Sequence, residues 1–152
     1  MSGKFYSEKN LRFTLYDVHG IESLISHKKF SDYNREGFDM ILDTAKSIAV
    51  DFMFPLCSEM DKNPPEYTGS TIKVNPAVKQ YMSMSGEGGW INAMFPAEHG
   101  GQQMPLSLFN ACMFIFAASN YSLSVYPGLT SGPLPLYTIT AQLNCRSNSQ
   151  RR

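Results

Sequence analysis

Cysteine, histidine and net charge are all scarce in this chain, and each scarcity removes a class of function. Three cysteines, Cys57, Cys112 and Cys145, are an odd number at wide spacings, which argues against a disulfide framework and for a reducing compartment. His19, His27 and His99 form no pair at metal-ligating spacing, with one another or with a cysteine, so no metal site is expected. Thirteen basic and thirteen acidic residues cancel. No net field therefore steers the protein onto nucleic acid or an anionic membrane. The basic cluster Arg146, Arg151 and Arg152 lies in a polar tail and reads as a solubilising end.

Long apolar runs and targeting segments are missing too. Ser119, Asn120, Ser122 and Ser124 interrupt the longest apolar stretch before it reaches the roughly 18–20 residues that span a bilayer. The opening MSGKFYSEKN has no apolar core for a secretory signal and too little arginine for a mitochondrial presequence, so a cytoplasmic location is expected. Glycine is dense at Gly88-Gly89-Trp90 and His99-Gly100-Gly101, yet neither matches a nucleotide-binding spacing and no strand precedes them. Tight turns are the reading there, with Trp90 filling the gap between helices. Glu98 and His99 are adjacent but lack a third group to orient them. Ser119, Ser122, Ser124 and Ser131 lie in no nucleophile motif. No catalytic, cofactor-binding or metal-binding residue is assigned.

What the chain does have is helical periodicity. Residues 5–30 hold two short amphipathic pieces separated by Gly20, the first with Phe13, Leu15, Tyr16 and Val18, the second with Ile21, Leu24 and Ile25. Phe38, Ile41, Leu42, Ala45, Ile48, Ala49 and Phe52 recur at spacings of three and four, which predicts a helix from about Asp32 to Phe54. Asp32, Glu36 and Asp39 would favour its positive end, and Pro55 should kink or end it. Residues 61–71 read as a solvent-facing loop around Pro64-Pro65 and Gly69. Asn75-Pro76 is a helix start, and Gly86 a stop. From Pro105 to Tyr126 a helix is apolar nearly all round, so it calls for burial on every side. The Tyr126-Pro127-Gly128 run should stop it. A last apolar piece, 134–143, precedes a tail, 144–152, whose composition predicts disorder. Met82, Met84, Met94, Met104 and Met113 suit either core filling or a flexible apolar pocket.

Several short motifs, in order, resemble the amino-terminal helical domain of acyl-CoA dehydrogenases, in the branch with an extended amino terminus. They are Phe13-Thr14-Leu15-Tyr16-Asp17-Val18, Asp32-Tyr33 to Asp39, Ala49 to Leu56 with Asp61, and Val74-Asn75-Pro76. Gly88-Gly89-Trp90, Pro96 to Gln102, Pro105, Ser119-Asn120 and Tyr126 to Thr130 complete the series. Met113-Phe114-Ile115-Phe116 departs from it, since the family commonly carries a glutamate in that stretch. The resemblance implies an all-α fold, a helical bundle, with an extension over 1–30, the helical domain over 31–143 and a disordered tail over 144–152.

It also implies a parent chemistry, the FAD-dependent α,β-dehydrogenation of acyl-CoA in fatty-acid oxidation. The family's flavin-binding and catalytic residues lie in two further domains, so this chain is expected to be a truncated member that binds no FAD by itself. Phe109, Met113 and Phe116 would line the acyl pocket, with acyl-CoA bound only in a complete enzyme. Implied partners are a second copy of the chain or a related full-length subunit. The alternative is a non-catalytic helical interaction module. Phe109, Phe114, Ile115 and Phe116 are expected to be shared between the core and an uncovered patch.

Overall fold

The computed structural model describes residues 5–131. The expected apolar piece at 134–143 and the expected disordered tail, with Cys145 and its arginines, fall outside them. The described residues are mostly helical, and the all-α expectation holds. Helix α1 (Glu8–Phe13) is capped by Ser7, whose Oγ accepts the Asn10 amide at 3.3 Å. It continues through a wide turn of π type, Thr14–Val18, to Gly20, where φ of +56° reverses the chain. Two tight 3-10 turns follow, Ile21–Ser26 and Lys28–Phe30, in place of the expected second α-helix. Tyr6, Leu15, Tyr16 and Ile21 all enter the main core, while Phe13 and Val18 face solvent.

Helix α2 (Arg35–Ile48) begins three residues later than expected. Asn34 takes the cap, its Oδ1 accepting the Gly37 amide at 2.7 Å, and this leaves Asp32 outside the helix. Phe38, Leu42 and Ala45 form its buried stripe. Where a kink or an end was expected at Pro55, the chain makes a junction: a π turn over Ala49–Met53, closed by the Phe54 amide on the Ala49 carbonyl, leads straight into α3 (Phe54–Lys62). Pro55 thus falls in the first turn of α3, where a missing N–H is harmless. The expected loop at 61–71 holds β1 (Glu66–Tyr67), which pairs antiparallel with β2 (Ile72–Lys73) just beyond it, both exposed.

Asn75 begins α4 (Ala77–Glu87) as expected, accepting the Ala77 amide at 2.9 Å. Gly86 does not stop it. The chain turns at Gly89 (φ +72°) instead, with Gly89 N–H on the Gly86 carbonyl and Trp90 N–H on the Ser85 carbonyl, the paired bonds of a Schellman stop. Helix α5 (Leu106–Ser131) then runs through the centre, packing on α2, the π turn, α3 and α4. The two long predicted helices therefore touch, and both are helical.

The far end of α5 departs from expectation. Tyr126-Pro127-Gly128 lies inside it, and the break comes earlier, at Asn120, whose backbone is extended (φ −159°, ψ 93°). Asn120 is fully buried with each polar group used. Its Oδ1 caps the second segment at the Leu123 amide (3.1 Å), and its Nδ2 donates to the Met53 carbonyl (3.1 Å) at the end of the π turn. Burial of Leu123 and Pro127, at about 1.5–3 kcal/mol for an apolar side chain of leucine size, helps offset the roughly 3 kcal/mol that an internal proline costs. The buried serines satisfy themselves locally, Ser119 on the Phe116 carbonyl and Ser124 on the Tyr121 carbonyl. They do not prevent α5 from being long and apolar enough, by length and composition, to cross a membrane; 56% of its most apolar 18-residue window is buried in this fold.

The uncovered patch is smaller than expected. Phe109, Ile115 and Phe116 are buried, and only Phe114 of the four is exposed, because α2, α3, α4 and the Trp90 turn surround α5 within the chain itself. Cys112 sits at the same depth, and burial pushes its thiol pKa up to about 12. Cys57 is exposed.

Candidate functional site

The three residues assigned to an acyl pocket converge. Phe109, Met113 and Phe116 project from one side of α5, at the i, i+4 and i+7 spacing that aligns side chains on a helix. They line one small cavity with Tyr81, Trp90, Pro127, Gly128 and Ser131. Tyr81 reaches it from the inner face of α4, where Val78, Tyr81 and Ser85 are buried. Trp90 is delivered by the Gly88-Gly89 turn and meets Phe116 edge to face, 5.1 Å between centroids at 87°. Tyr81 meets the same ring edge-on at 6.4 Å and stacks on Phe52 at 6.3 Å. These geometries suit aromatic quadrupoles and hold the wall rigid.

The cavity holds only about 10 Å³, the threshold for a single water. Its lining contains no acid, histidine or lysine. Tyr81 carries the one titratable group there, and burial raises its pKa to about 12, so the hydroxyl stays neutral at physiological pH. With that hydroxyl neutral, the lining carries no charged group at physiological pH. Tyr81, Pro127, Gly128 and Ser131 are additions to the sequence-based assignment. The Val78/Tyr81/Ser85 spacing in α4 was the available signal for Tyr81; the segment beyond Asn120 carried none, since a proline-glycine pair reads as a stop.

Glu98 and His99 approach within 3.8 Å on the exposed surface. Among the described residues no three His, Cys, Asp or Glu side chains gather as a metal site. The main charged cluster lies elsewhere, between α1 and α2. The Arg12 guanidinium pairs with Glu8 (3.1 Å), Asp43 (2.7 Å) and Asp39, Lys46 pairs with Glu8 (2.6 Å), and the Tyr16 hydroxyl donates to Asp39 (2.8 Å). Asp39, read from sequence as a helix-dipole partner, is instead a tether for the amino-terminal segment. The partners are 27 residues apart for Arg12 and Asp39, a separation no local pattern reports.

Gly88 and Gly89 are used in the α4 stop, and a Cβ at Gly101 would lie 2.2 Å from the Phe95 carbonyl oxygen. Gly100 takes a φ of +74°, so these glycines stand in the tight turns expected of them. No family model matches the chain, and no curated protein matches it.

Proposed function

We propose that the chain is the helical wall of an acyl-binding pocket, the share of an acyl-CoA dehydrogenase-like protein that its ordered motifs resemble. The observation that carries this reading is the convergence of Phe109, Met113 and Phe116 with Tyr81 and Trp90 around one apolar cavity. The bundle would be of the acyl-CoA dehydrogenase type. The wall would contribute shape and dryness, and in the family it resembles flavin chemistry belongs to two further domains.

Trp90, the sole tryptophan, is a built-in reporter at that wall. Its emission should shift saturably when acyl-CoAs of graded chain length are added. Ser131→Leu, which enlarges a buried side chain of the cavity lining, should abolish the shift, while added FAD should neither be retained nor support dye reduction. An emission that no acyl chain moves, or turnover with FAD, would overturn the reading.

A second reading, a helical module that binds a related subunit or a second copy, is favoured by Leu106, Phe114 and Tyr121, exposed along α5 at 60%, 52% and 69%. Sedimentation velocity across a concentration range tests it: a monomer at every concentration, and alongside any related subunit, excludes this module.

A further inference from the structure

Residues 61–73 are exposed without exception, and within them stands Pro64-Pro65-Glu66-Tyr67. We propose that this segment is a docking peptide for a small domain of the WW type, which reads proline rings and a tyrosine in an aromatic-lined groove. Proline fixes its own φ near −65° and pushes the residue before it into extended or polyproline II backbone. Asn63 precedes Pro64 and Pro64 precedes Pro65, so the entry to the motif has little conformational freedom left to lose on binding. Polyproline II repeats every three residues, which brings the first proline and the tyrosine of a Pro-Pro-x-Tyr segment to one side.

The scaffold holds the second half of the motif as a short exposed strand. Glu66 pairs with Lys73 and Tyr67 with Ile72, one edge of the strand being used and the other open. The turn beyond is closed by the Thr68 amide on the Thr71 carbonyl at 2.9 Å. The Tyr67 hydroxyl donates to the Gly69 carbonyl, yet the side chain remains 71% exposed. A large aromatic held open beside two prolines has no packing role in this chain. Pro64 and Pro65 also line a surface groove of about 560 Å³ with Lys73 and Val74, which leaves room for a partner to close around the rings. Neither proline has another proline three residues on, so the segment lacks the repeat that an SH3-type groove reads and relies on tyrosine as its third anchor.

The test is titration of the whole chain against a WW-type domain selective for Pro-Pro-x-Tyr and, in parallel, an SH3-type domain. Saturable binding to the first alone is expected, weakened roughly thirtyfold by Tyr67→Ala, the loss typical of truncating an aromatic anchor, and comparably by Pro65→Ala. Glu66→Ala, at the variable position, should bind like the parent. Ile72→Ala, which removes the cross-strand partner of Tyr67 and leaves the motif intact, separates loss of the anchor from loss of the hairpin and should also bind like the parent. Unchanged circular dichroism and Trp90 emission show that the fold survives each change. No binding to the WW-type domain, equal binding by Tyr67→Ala, or equal capture by the SH3-type domain would overturn the proposal.

Discussion

On one face of α2, Phe38, Leu42 and Ala45 are shut into the core that α5 crosses; on the adjacent face, Asp39, Asp43 and Lys46 hold the amino-terminal segment through Arg12 and Glu8. The two faces are one residue apart in sequence and differ in kind. Burial of a leucine or phenylalanine is worth about 1.5–3 kcal/mol regardless of salt. A half-exposed ion pair is worth about 0–1 kcal/mol and weakens as salt rises. The dry face therefore sets whether the bundle exists, and the charged face sets how firmly residues 5–30 stay on it, alongside the smaller apolar share from Leu15 and Ile21.

The largest test of that contrast is Phe38→Ala. Its ring is 0% exposed, and its loss should cost about 3–5 kcal/mol in urea unfolding, at low and high salt alike. Asn120→Ala comes next, at about 2–3 kcal/mol, because it removes a helix cap and strips a buried amide and carbonyl of their partner. A polar group is then shown to matter in the dry region through satisfaction, not charge. Should that variant unfold at the parent's midpoint, the Asn120 bridge from α5 to the π turn has no energetic weight.

Arg12→Ala should cost only about 1 kcal/mol in dilute buffer, and the difference should fade in molar salt. A cost that salt leaves untouched would mean that the charged face works by packing. The same face has a pH signature. The hydrogen bond from Lys46, aided by Arg12 and opposed by partial burial, holds the Glu8 carboxyl below its ordinary 4.5. Its stabilisation is thus complete above that value and drains as pH falls through the lower folded one. Glu8→Gln should flatten the acid limb of a stability profile as pH falls below the ordinary 4.5. The smallest effect expected is a gain: Gly86 lies within α4 with open space where a Cβ would sit, so Gly86→Ala should add about 0.5–1 kcal/mol. A loss there would show that the stop, to which Gly86 lends its carbonyl, also needs glycine's backbone freedom at that position.

These differences also explain what the sequence could and could not tell. Apolar periodicity located α2, and a nearly unbroken apolar run located α5, because the need for burial is a local signal. The Asn75-Pro76 start and the filling role of Trp90 were legible for the same reason, each resting on chemistry within a few residues. Pro55 and Pro127-Gly128 misled because proline's effect depends on what precedes it: a π turn moved Pro55 into a first turn, and packing kept Pro127 helical. Asn120 was visible as a residue but not as a break, since its partners Met53 and Leu123 are set by tertiary contact. At the candidate site, Phe109, Met113 and Phe116 were named through the resemblance alone, and their shared side of α5 comes from the i, i+4 and i+7 spacing once the helix has formed. Tyr81 and the proline-glycine edge joined them only through the packing of α4 and the second half of α5. Hairpin pairing at Glu66 and Ile72 left no apolar alternation to detect, because both strands are exposed.

Cys112 gives the dry face a chemical readout. A thiol with its pKa near 12 and no solvent path does not alkylate while the bundle is closed, because the thiolate is the reacting species. Cys57, on the surface, supplies an internal standard in the same tube. The ratio of their labelling rates becomes a stopwatch for whole-bundle opening, running without denaturant on the native protein, and it would time α5's release from α2 at concentrations where any self-association is still absent.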